Sequence, residues 1–190
     1  MSTIRAAVIG VGYLGRFHAQ KYAAIPDCQL VAVADAQPEA AQRVARELGT
    51  LAVADYRELI GRVDAVSIAT PTPKHFEIAR ELLGAGVHVL VEKPITETTA
   101  QAEELIASAR SAGKVLQVGH LERFNPVILG AEASLGVPRF IECHRLAPFR
   151  ERGTDVNVVL DLMIHDLDLV QSIVGSEIVS LEAIGTPVFS

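Results

Sequence analysis

A glycine-rich stretch near the start of the chain constrains its fold more than any other feature. Residues 10–15 read G-V-G-Y-L-G, between an apolar run that begins at Ile4 and a helical pattern that begins at Leu14. Gly10 permits a tight turn, Gly12 lets a diphosphate approach the backbone, and Gly15 lets the helix pack closely on the strand. The diphosphate of a dinucleotide would then lie at the helix N-terminus, where free N–H groups and the dipole favour an anion.

Asp35 completes the dinucleotide pattern, because it lies about 20 residues beyond Gly15 at the end of the second predicted strand. Its carboxylate can accept hydrogen bonds from the adenosine ribose hydroxyls and would repel the 2′-phosphate of NADP. Ala36 follows it, where an NADP-binding chain often supplies arginine. The pattern therefore predicts NAD as the cofactor. An ordinary strand–helix turn with a surface aspartate is the structural alternative.

Short β-branched runs alternate with longer helical patterns over the first 120 residues. The predicted strands are Ile4–Val11, Gln29–Asp35, Leu51–Val53, Asp64–Ala69, Val87–Val91 and Lys114–Gly119. The predicted helical segments are Leu14–Ile25, Pro38 to about Gly49, Tyr56–Ile60 and Lys74–Leu83. A further helix is expected to end at Ser111, and Thr98 and Gln101 have the capping-box spacing at its start. Apolar strands separated by helices are typical of a parallel sheet covered on both faces. The predicted fold class is α/β, a Rossmann doubly wound parallel sheet forming an NAD-binding domain over residues 1–120.

The pattern changes after His120. Longer strands are predicted at Arg139–Leu146 and Glu177–Ile184, with one helix, Val159–Val174, between them. This arrangement predicts an incomplete α+β second domain over residues 121–190, a partial substrate and oligomerisation domain. The domain boundary is expected within His120–Pro126, where the Asn-Pro pair disfavours helix.

Charge and composition exclude several classes of function. The net charge is −6 and the isoelectric point is near 5.5, so no basic surface for nucleic acid is expected. Apolar runs such as Val87–Val91 are too short to span a membrane, and the first residues lack the features of a signal peptide. Cys28 and Cys143 are far apart, so a reducing cytoplasm is expected rather than a disulfide framework.

Three further segments carry a family resemblance. Residues 69–72 read A-T-P-T and are followed by His75, residues 92–94 read E-K-P, and Asp161 precedes His165 by four positions. Together with the glycine loop, their order and spacing resemble the Gfo/Idh/MocA oxidoreductases, the family of glucose–fructose oxidoreductase and inositol dehydrogenase. The resemblance covers essentially the whole chain. It implies hydride exchange between a nicotinamide cofactor and a hydroxyl carbon of a small-molecule substrate: a sugar, nucleotide sugar or cyclitol.

The resemblance also implies which residues surround the cofactor. They follow the strands, where ligands bind in open α/β sheets. The predicted cofactor-binding residues are Gly10, Gly12, Tyr13, Leu14, Gly15, Asp35, Thr70, Pro71, Thr72, His75, Glu92, Lys93 and Arg123.

The predicted catalytic residues are Lys93, Asp161 and His165. Asp161 and His165 are four apart on a predicted helix and should emerge on one face, which Asp168 could share. A neutral imidazole suits removal of a hydroxyl proton, a nearby carboxylate can orient the ring, and the lysine ammonium can hold the reacting oxygen. A helix-surface pair and a metal site of Asp161, His165 and Asp168 are the alternatives, although no cysteine cluster or second histidine completes a zinc pattern.

The approach to this helix departs from the family pattern. Residues 154–159 read T-D-V-N-V-V where a glycine-rich turn is usual, and Met163 lies within the helix. The segment Glu142–His165 is similar to a branch of the family that acts on UDP-N-acetylhexosamines, as in 3-dehydrogenases of UDP-N-acetylglucosamine. A non-catalytic dinucleotide-binding regulator and an inactive NAD-binding fragment are the competing functions. The joint presence of Lys93, Asp161 and His165 favours the enzyme.

Members of that family usually continue well beyond this length, so the resemblance also implies a chain truncated at its C-terminus. Its last predicted strand, Glu177–Ile184, would then have an exposed edge. An exposed edge favours pairing with a second copy, so a homo-oligomer formed through the second-domain sheet is expected.

Overall fold

The computed structural model describes residues 3–146 and 156–186 of the 190-residue chain. Within these ranges the strands are β1 (Ile4–Ile9), β2 (Cys28–Ala34), β3 (Leu51–Val53), β4 (Ala65–Ile68), β5 (His88–Val91) and β6 (Leu116–Val118). The α-helices are α1 (Tyr13–Ala24), α2 (Pro38–Leu48), α3 (His75–Gly84), α4 (Thr99–Ala112), α5 (Pro126–Leu135) and α6 (Ile164–Val174). Short 3-10 turns occupy Tyr56–Leu59, Thr72–Lys74 and Leu121–Phe124, and a π-helical turn, Val159–Met163, leads directly into α6. None of these helices is both long enough and apolar enough to cross a bilayer.

The strands form one parallel sheet in the order β3-β2-β1-β4-β5-β6. β1 pairs with β2 on one side and with β4 on the other, so Ile9 is level with both Ala34 and Ile68 at the carboxyl edge. The chain leaves β1 in one direction and returns to its opposite side for β4. This reversal creates the crevice in which doubly wound sheets bind ligands. The predicted α/β Rossmann class is confirmed.

Apolar side chains cover both faces of the sheet. On one face Val8 packs with Val44 of α2, and on the other Ile68 packs with Leu82 of α3 and Leu105 of α4. All five are fully buried, and full burial of a side chain of this size stabilises a fold by about 1.5–3 kcal/mol. This double-sided core fixes the carboxyl ends of β1, β4 and β5, from which the loops of the candidate site emerge.

The segment after β6 contains a helix, α5, that the sequence analysis did not predict. The side-chain oxygen of Asn125 accepts a hydrogen bond from the backbone N–H of Val127 (3.0 Å), and Pro126 is the first helical residue. Proline is well suited to that position, because the missing N–H would have no acceptor within the helix. The Asn-Pro pair therefore marks the start of a helix: Asn125 itself is extended, as expected of a residue before proline, and α5 begins at Pro126.

The two strands predicted for the second domain are not formed. Arg139–Leu146 and Glu177–Ile184 have neither helical nor strand structure. In the second segment Val179, Leu181 and Ile184 are exposed. A strand exists only where a neighbouring strand accepts and donates its backbone hydrogen bonds, and the described residues place no such neighbour beside either segment. The prediction of an exposed edge strand at Glu177–Ile184 is wrong for the same reason.

Candidate functional site

The glycine loop between β1 and α1 has the shape that a diphosphate site requires. Gly10 has φ of +82°, and a Cβ there would lie 2.8 Å from the backbone of Ala69 and Thr70. A Cβ on Gly15 would overlap the carbonyl oxygen of Gly10. Close packing therefore demands glycine at both positions.

Gly12 is glycine for a different reason. Its φ is −66°, which any residue can adopt, and no atom lies within 4 Å of the position that a Cβ would take. The space beside its backbone is therefore open. It adjoins the N-terminus of α1, where Gly12 gives no side-chain cap and the first turn contains no acid. Tyr13 and Leu14 begin this turn as exposed residues. The loop fits a dinucleotide diphosphate, because the N-terminus of α1, which favours an anion, borders this open space.

Asp35 lies at the end of β2 and holds the glycine loop in place. Its Oδ2 accepts a hydrogen bond from the backbone N–H of Val11, and its Oδ1 accepts one from Gln37, both at 2.8 Å. Each carboxylate oxygen can accept more than one hydrogen bond. Asp35 is only partly buried, so it can shape the loop and still accept from ribose hydroxyls.

The loops after β4 and β5 are tied together by His75. The ring is 1% exposed. Its Nδ1 lies 2.9 Å from the carbonyl oxygen of Pro94, and its Nε2 lies 2.8 Å from that of Thr70. Thr72 is also buried, while Pro71 is exposed at the loop surface. The structure thus places His75 behind the two loops as a link between them, without an exposed face for a cofactor contact.

Glu92 follows β5 as a buried acid, 6% exposed. Its Oε2 accepts a hydrogen bond from the backbone N–H of Lys93 (3.3 Å). Its Oε1 lies 3.0 Å from Nε2 of His18. These two atoms are at ion-pair distance but are not aligned for a hydrogen bond, so Oε1 has no hydrogen-bond partner among the described residues.

Lys93 and Asp161 come together across 68 positions of sequence. The lysine Nζ donates to Asp161 Oδ1 at 2.9 Å and to its backbone carbonyl oxygen at 2.8 Å. The lysine side chain is 16% exposed and the aspartate side chain 35% exposed, so both are sheltered but reachable. The structure thus joins Lys93 to the turn that precedes α6 by a direct ion pair, a contact that the sequence analysis did not predict.

His165 lies in the field of this lysine. Burial lowers the pKa of His165, and the positive charges of Lys93 and Arg145 lower it further, so the neutral ring is favoured. Its Nδ1 is buried and has no hydrogen-bond partner in the described parts of the chain. The expectation that Asp161 orients this ring is not met, because the Asp161 carboxylate bonds to Lys93 instead. A neutral imidazole with an unengaged nitrogen can accept a proton.

Arg123 and Asp168 form a bidentate pair between the segment after β6 and helix α6. Arg123 Nε and Nη2 donate to the two carboxylate oxygens at 2.7 and 2.6 Å. These hydrogen bonds lower the pKa of Asp168. Arg145 makes a similar pair with Asp166 on the same helix. The guanidinium of Arg123, predicted to bind cofactor, thus holds α6 against the segment that follows β6.

Side-chain polar atoms that are buried without a hydrogen-bond partner mark the site as a whole. Within residues 3–146 and 156–186 these atoms are Thr70 Oγ1, Glu92 Oε1, His120 Nδ1 and His165 Nδ1. Three of them follow β4, β5 and β6, and the fourth lies beside Lys93. Unsatisfied buried polar groups are costly unless a ligand or water pairs with them. Their concentration at the carboxyl edge of the sheet is what a site for a polar ligand would produce.

The donor set does not favour a metal. Asp161 and Asp168 are each bonded to a different cation, Lys93 and Arg123. In the described part of the chain no three His, Cys, Asp or Glu residues are grouped as metal ligands. The alternative of a metal site formed by Asp161, His165 and Asp168 therefore has no geometric support.

Ser67 is a site-related residue that the sequence analysis missed. Ser67 is fully buried in β4, and its Oγ lies 2.6 Å from Nδ1 of His18 on α1. A signal was available, because a hydroxyl in the middle of an otherwise apolar buried strand requires a polar neighbour.

The sequence profile of the GFO_IDH_MocA oxidoreductase family, described as an NAD-binding Rossmann fold, matches residues 4–120. The UDP-N-acetylglucosamine 3-dehydrogenase of Acidithiobacillus ferrooxidans is 49% identical over 97% of this chain and 59% of its own length. The scyllo-inositol 2-dehydrogenase (NAD(+)) of Bacillus subtilis is 30% identical over 96% of this chain and 57% of its own length. The chain thus spans less than three fifths of the length of these curated relatives.

Solved structures agree with the sequence matches. The structure of UDP-N-acetylglucosamine 3-dehydrogenase GnnA from Acidithiobacillus ferrooxidans matches with a TM-score of 0.92 and 48% identity, over 100% of this chain and 62% of that one. GenD2 from gentamicin A biosynthesis, in complex with NAD, matches with a TM-score of 0.79 and 25% identity, over 92% of this chain and 54% of that one. The glycine loop, the sheet order and the profile match lead to one conclusion: the chain belongs to the Gfo/Idh/MocA oxidoreductase family and forms its NAD-binding Rossmann fold.

Proposed function

We propose that this chain carries the NAD site and the proton-transfer residues of a dehydrogenase that oxidises a ring hydroxyl of a nucleotide sugar. The observation that carries the proposal is the cluster of Lys93, Asp161 and His165 at the carboxyl edge of the sheet. Lys93 is a sheltered cation, and His165 is held in its neutral form beside it. A binding protein without chemistry would not need this combination.

Each of the three residues has a distinct role in the proposed reaction. The neutral ring of His165 takes the proton of the substrate hydroxyl. The ammonium of Lys93 donates a hydrogen bond to the same oxygen and stabilises the negative charge that develops there. Asp161 holds the ammonium in position through two short contacts. Bound NAD supplies the hydride acceptor, so the carbon loses a hydride as the oxygen loses its proton.

The cofactor-binding set extends the proposal to the edge loops. Gly12 would leave space for the diphosphate, Asp35 would accept from the adenosine ribose and favour NAD over NADP, and Thr70 would offer its unengaged Oγ1. The remaining proposed residues line or support the same loops: Gly10, Tyr13, Leu14, Gly15, Pro71, Thr72, His75, Glu92, Lys93 and Arg123.

We assign residues 1–120 to the cofactor domain and residues 121–190 to part of the substrate domain. The Lys93–Asp161 pair joins the turn before α6 to the Rossmann edge, and the Arg123–Asp168 pair lies within the second part. A cytoplasmic location and a homo-oligomer stay predictions. The interface proposed for the oligomer, pairing of two copies through an edge strand at Glu177–Ile184, has no structural support, because this segment does not form a strand.

The proposed substrate class rests on the substrates for which the similar proteins are named. Identity is 49% to a UDP-N-acetylglucosamine 3-dehydrogenase and about 30% to inositol dehydrogenases. The experiment is a screen of the purified protein for NADH formation with UDP-N-acetylglucosamine, free N-acetylglucosamine and scyllo-inositol. We expect turnover with the nucleotide sugar above all. NAD binding without turnover of any of the three would favour a regulator or an inactive fragment instead.

A further inference from the structure

One buried side chain connects the helix of the glycine loop to the turn that carries the lysine. His18 lies on α1, and its side chain is 11% exposed. Its Nδ1 is 2.6 Å from Ser67 Oγ on β4, and its Nε2 is 3.0 Å from Glu92 Oε1 after β5. The ring thus spans three elements that all end at the candidate site.

The Glu92 carboxylate that His18 faces has little room to move. A Cβ on Gly119 would lie 2.9–3.1 Å from the carboxyl atoms of Glu92, so the acid fills the space that this glycine leaves. Burial of a carboxylate is costly unless donors surround it. The backbone N–H of Lys93 approaches Oε2, and His18 is at 3.0 Å from Oε1.

The direction of the contacts at His18 follows from Glu92. A carboxylate oxygen only accepts, so a ring proton on Nε2, on the side that faces Glu92, is the arrangement that stabilises this contact. Nδ1 can then accept from the Ser67 hydroxyl at 2.6 Å.

We propose that His18 is a positioning residue that holds the Glu92 carboxylate and, through the bond from Glu92 to the Lys93 backbone N–H, sets the lysine turn against the cofactor site. His18 thereby couples the helix at the diphosphate site to the residue that contacts the substrate. The inference rests on the proposed function, because that function assigns Glu92 and Lys93 to the cofactor edge.

Two near-isosteric variants separate the two contacts of the ring. The side-chain amide of His18→Asn reaches only the place of Nδ1, where its oxygen can accept from the Ser67 hydroxyl. That of His18→Gln falls near Nε2 and can serve Glu92. By calorimetric titration, we expect His18→Gln to bind NAD within about twofold of wild type. His18→Asn should bind roughly tenfold more weakly, because the buried Glu92 carboxylate then loses the polar group that faces its Oε1. Equal weakening in both variants would overturn the proposal.

A double-mutant cycle tests whether the effect passes through the carboxylate. In a Glu92→Gln background, the additional His18→Asn substitution should weaken NAD binding by no more than about twofold. A penalty as large as in the wild-type background would contradict the proposal. The same four proteins are compared by urea unfolding, where the two substitutions should be non-additive. Failure of the wild-type protein to bind NAD would show that the proposed function is wrong. Independently of NAD, additive effects of the two substitutions on the free energy of unfolding would refute the pairing of His18 with Glu92.

Discussion

Substitution of Gly12 by alanine should weaken cofactor binding at least tenfold without harming the fold. The residue already has a φ of −66°, and no protein atom lies within 4 Å of the new Cβ. Loss of a glycine in a compatible conformation stabilises a protein by about 0.4–1 kcal/mol through the unfolded state. The methyl group would nevertheless occupy the space proposed for the diphosphate. We expect NAD affinity to fall by at least tenfold, which is about 1.4 kcal/mol.

Gly15→Ala, three residues away, should instead destabilise the fold. Its Cβ would overlap the carbonyl oxygen of Gly10, a backbone atom that cannot move aside alone. Overpacking of this kind costs about 3 kcal/mol or more, a large part of the roughly 5–15 kcal/mol that stabilises a typical domain. Gly84→Ala, exposed at the end of α3 with no atom near its Cβ, is the matched control and should leave NAD affinity unchanged.

Urea unfolding and calorimetric NAD titration of the three variants form the assay. The expected pattern is normal stability with lost binding for Gly12→Ala, and lost stability for Gly15→Ala. Tight NAD binding by Gly12→Ala would refute the assignment of the open space to the diphosphate. Normal stability of Gly15→Ala would refute the close packing of helix on strand.

Three further predictions concern the chemistry, the choice of cofactor and the anchoring of α6. His165→Ala should lower kcat by roughly 10²–10⁴-fold with little change in NAD affinity. Burial and the charge of Lys93 lower the pKa of His165 below its usual 6.5. The kcat/KM of wild type should therefore decline only below pH 6.5, where the base becomes protonated. A decline centred above pH 6.5 would contradict the assignment of His165 as the base. Wild type should bind NAD at least tenfold more tightly than NADP, a difference of about 1.4 kcal/mol. In parallel titrations, Asp35→Asn should reduce the ratio of the NADP to the NAD dissociation constant. Arg123→Ala leaves the Asp168 carboxylate without its bidentate partner and should destabilise the protein by about 1–3 kcal/mol in urea unfolding; an unchanged unfolding midpoint would show that the pair does not hold α6.

The Rossmann half of the fold was predictable because its signals are local. Buried parallel strands read as short apolar runs, and the prediction of Val87–Val91 for β5 differs from the structure by one residue. The glycine loop and Asp35 have fixed spacing within one strand–helix–strand unit, so their meeting follows from the motif. The capping box of Thr98 and Gln101 is present as predicted at the start of α4.

The second half was less predictable because its structure depends on distant neighbours. The alternation in Glu177–Ile184 can fit a strand but cannot supply the strand that must pair with it. The four-residue spacing of Asp161 and His165 assumes an α-helix, yet Asp161 lies in a π-helical turn, whose wider winding changes the angle between the side chains. The bond of Asp161 to Lys93 crosses 68 positions, and no local pattern could have revealed it.

The central proposal is that this chain carries the NAD site and the proton-transfer residues of a dehydrogenase that oxidises a ring carbon of a nucleotide sugar. The most direct measurement uses UDP-N-acetylglucosamine deuterated at C3, with NAD and the purified protein, and mass spectrometry of the reduced cofactor. The account predicts deuterium in the NADH formed by wild type and almost none with His165→Ala. Reduced cofactor without deuterium, or equal labelling by the His165 variant, would contradict it.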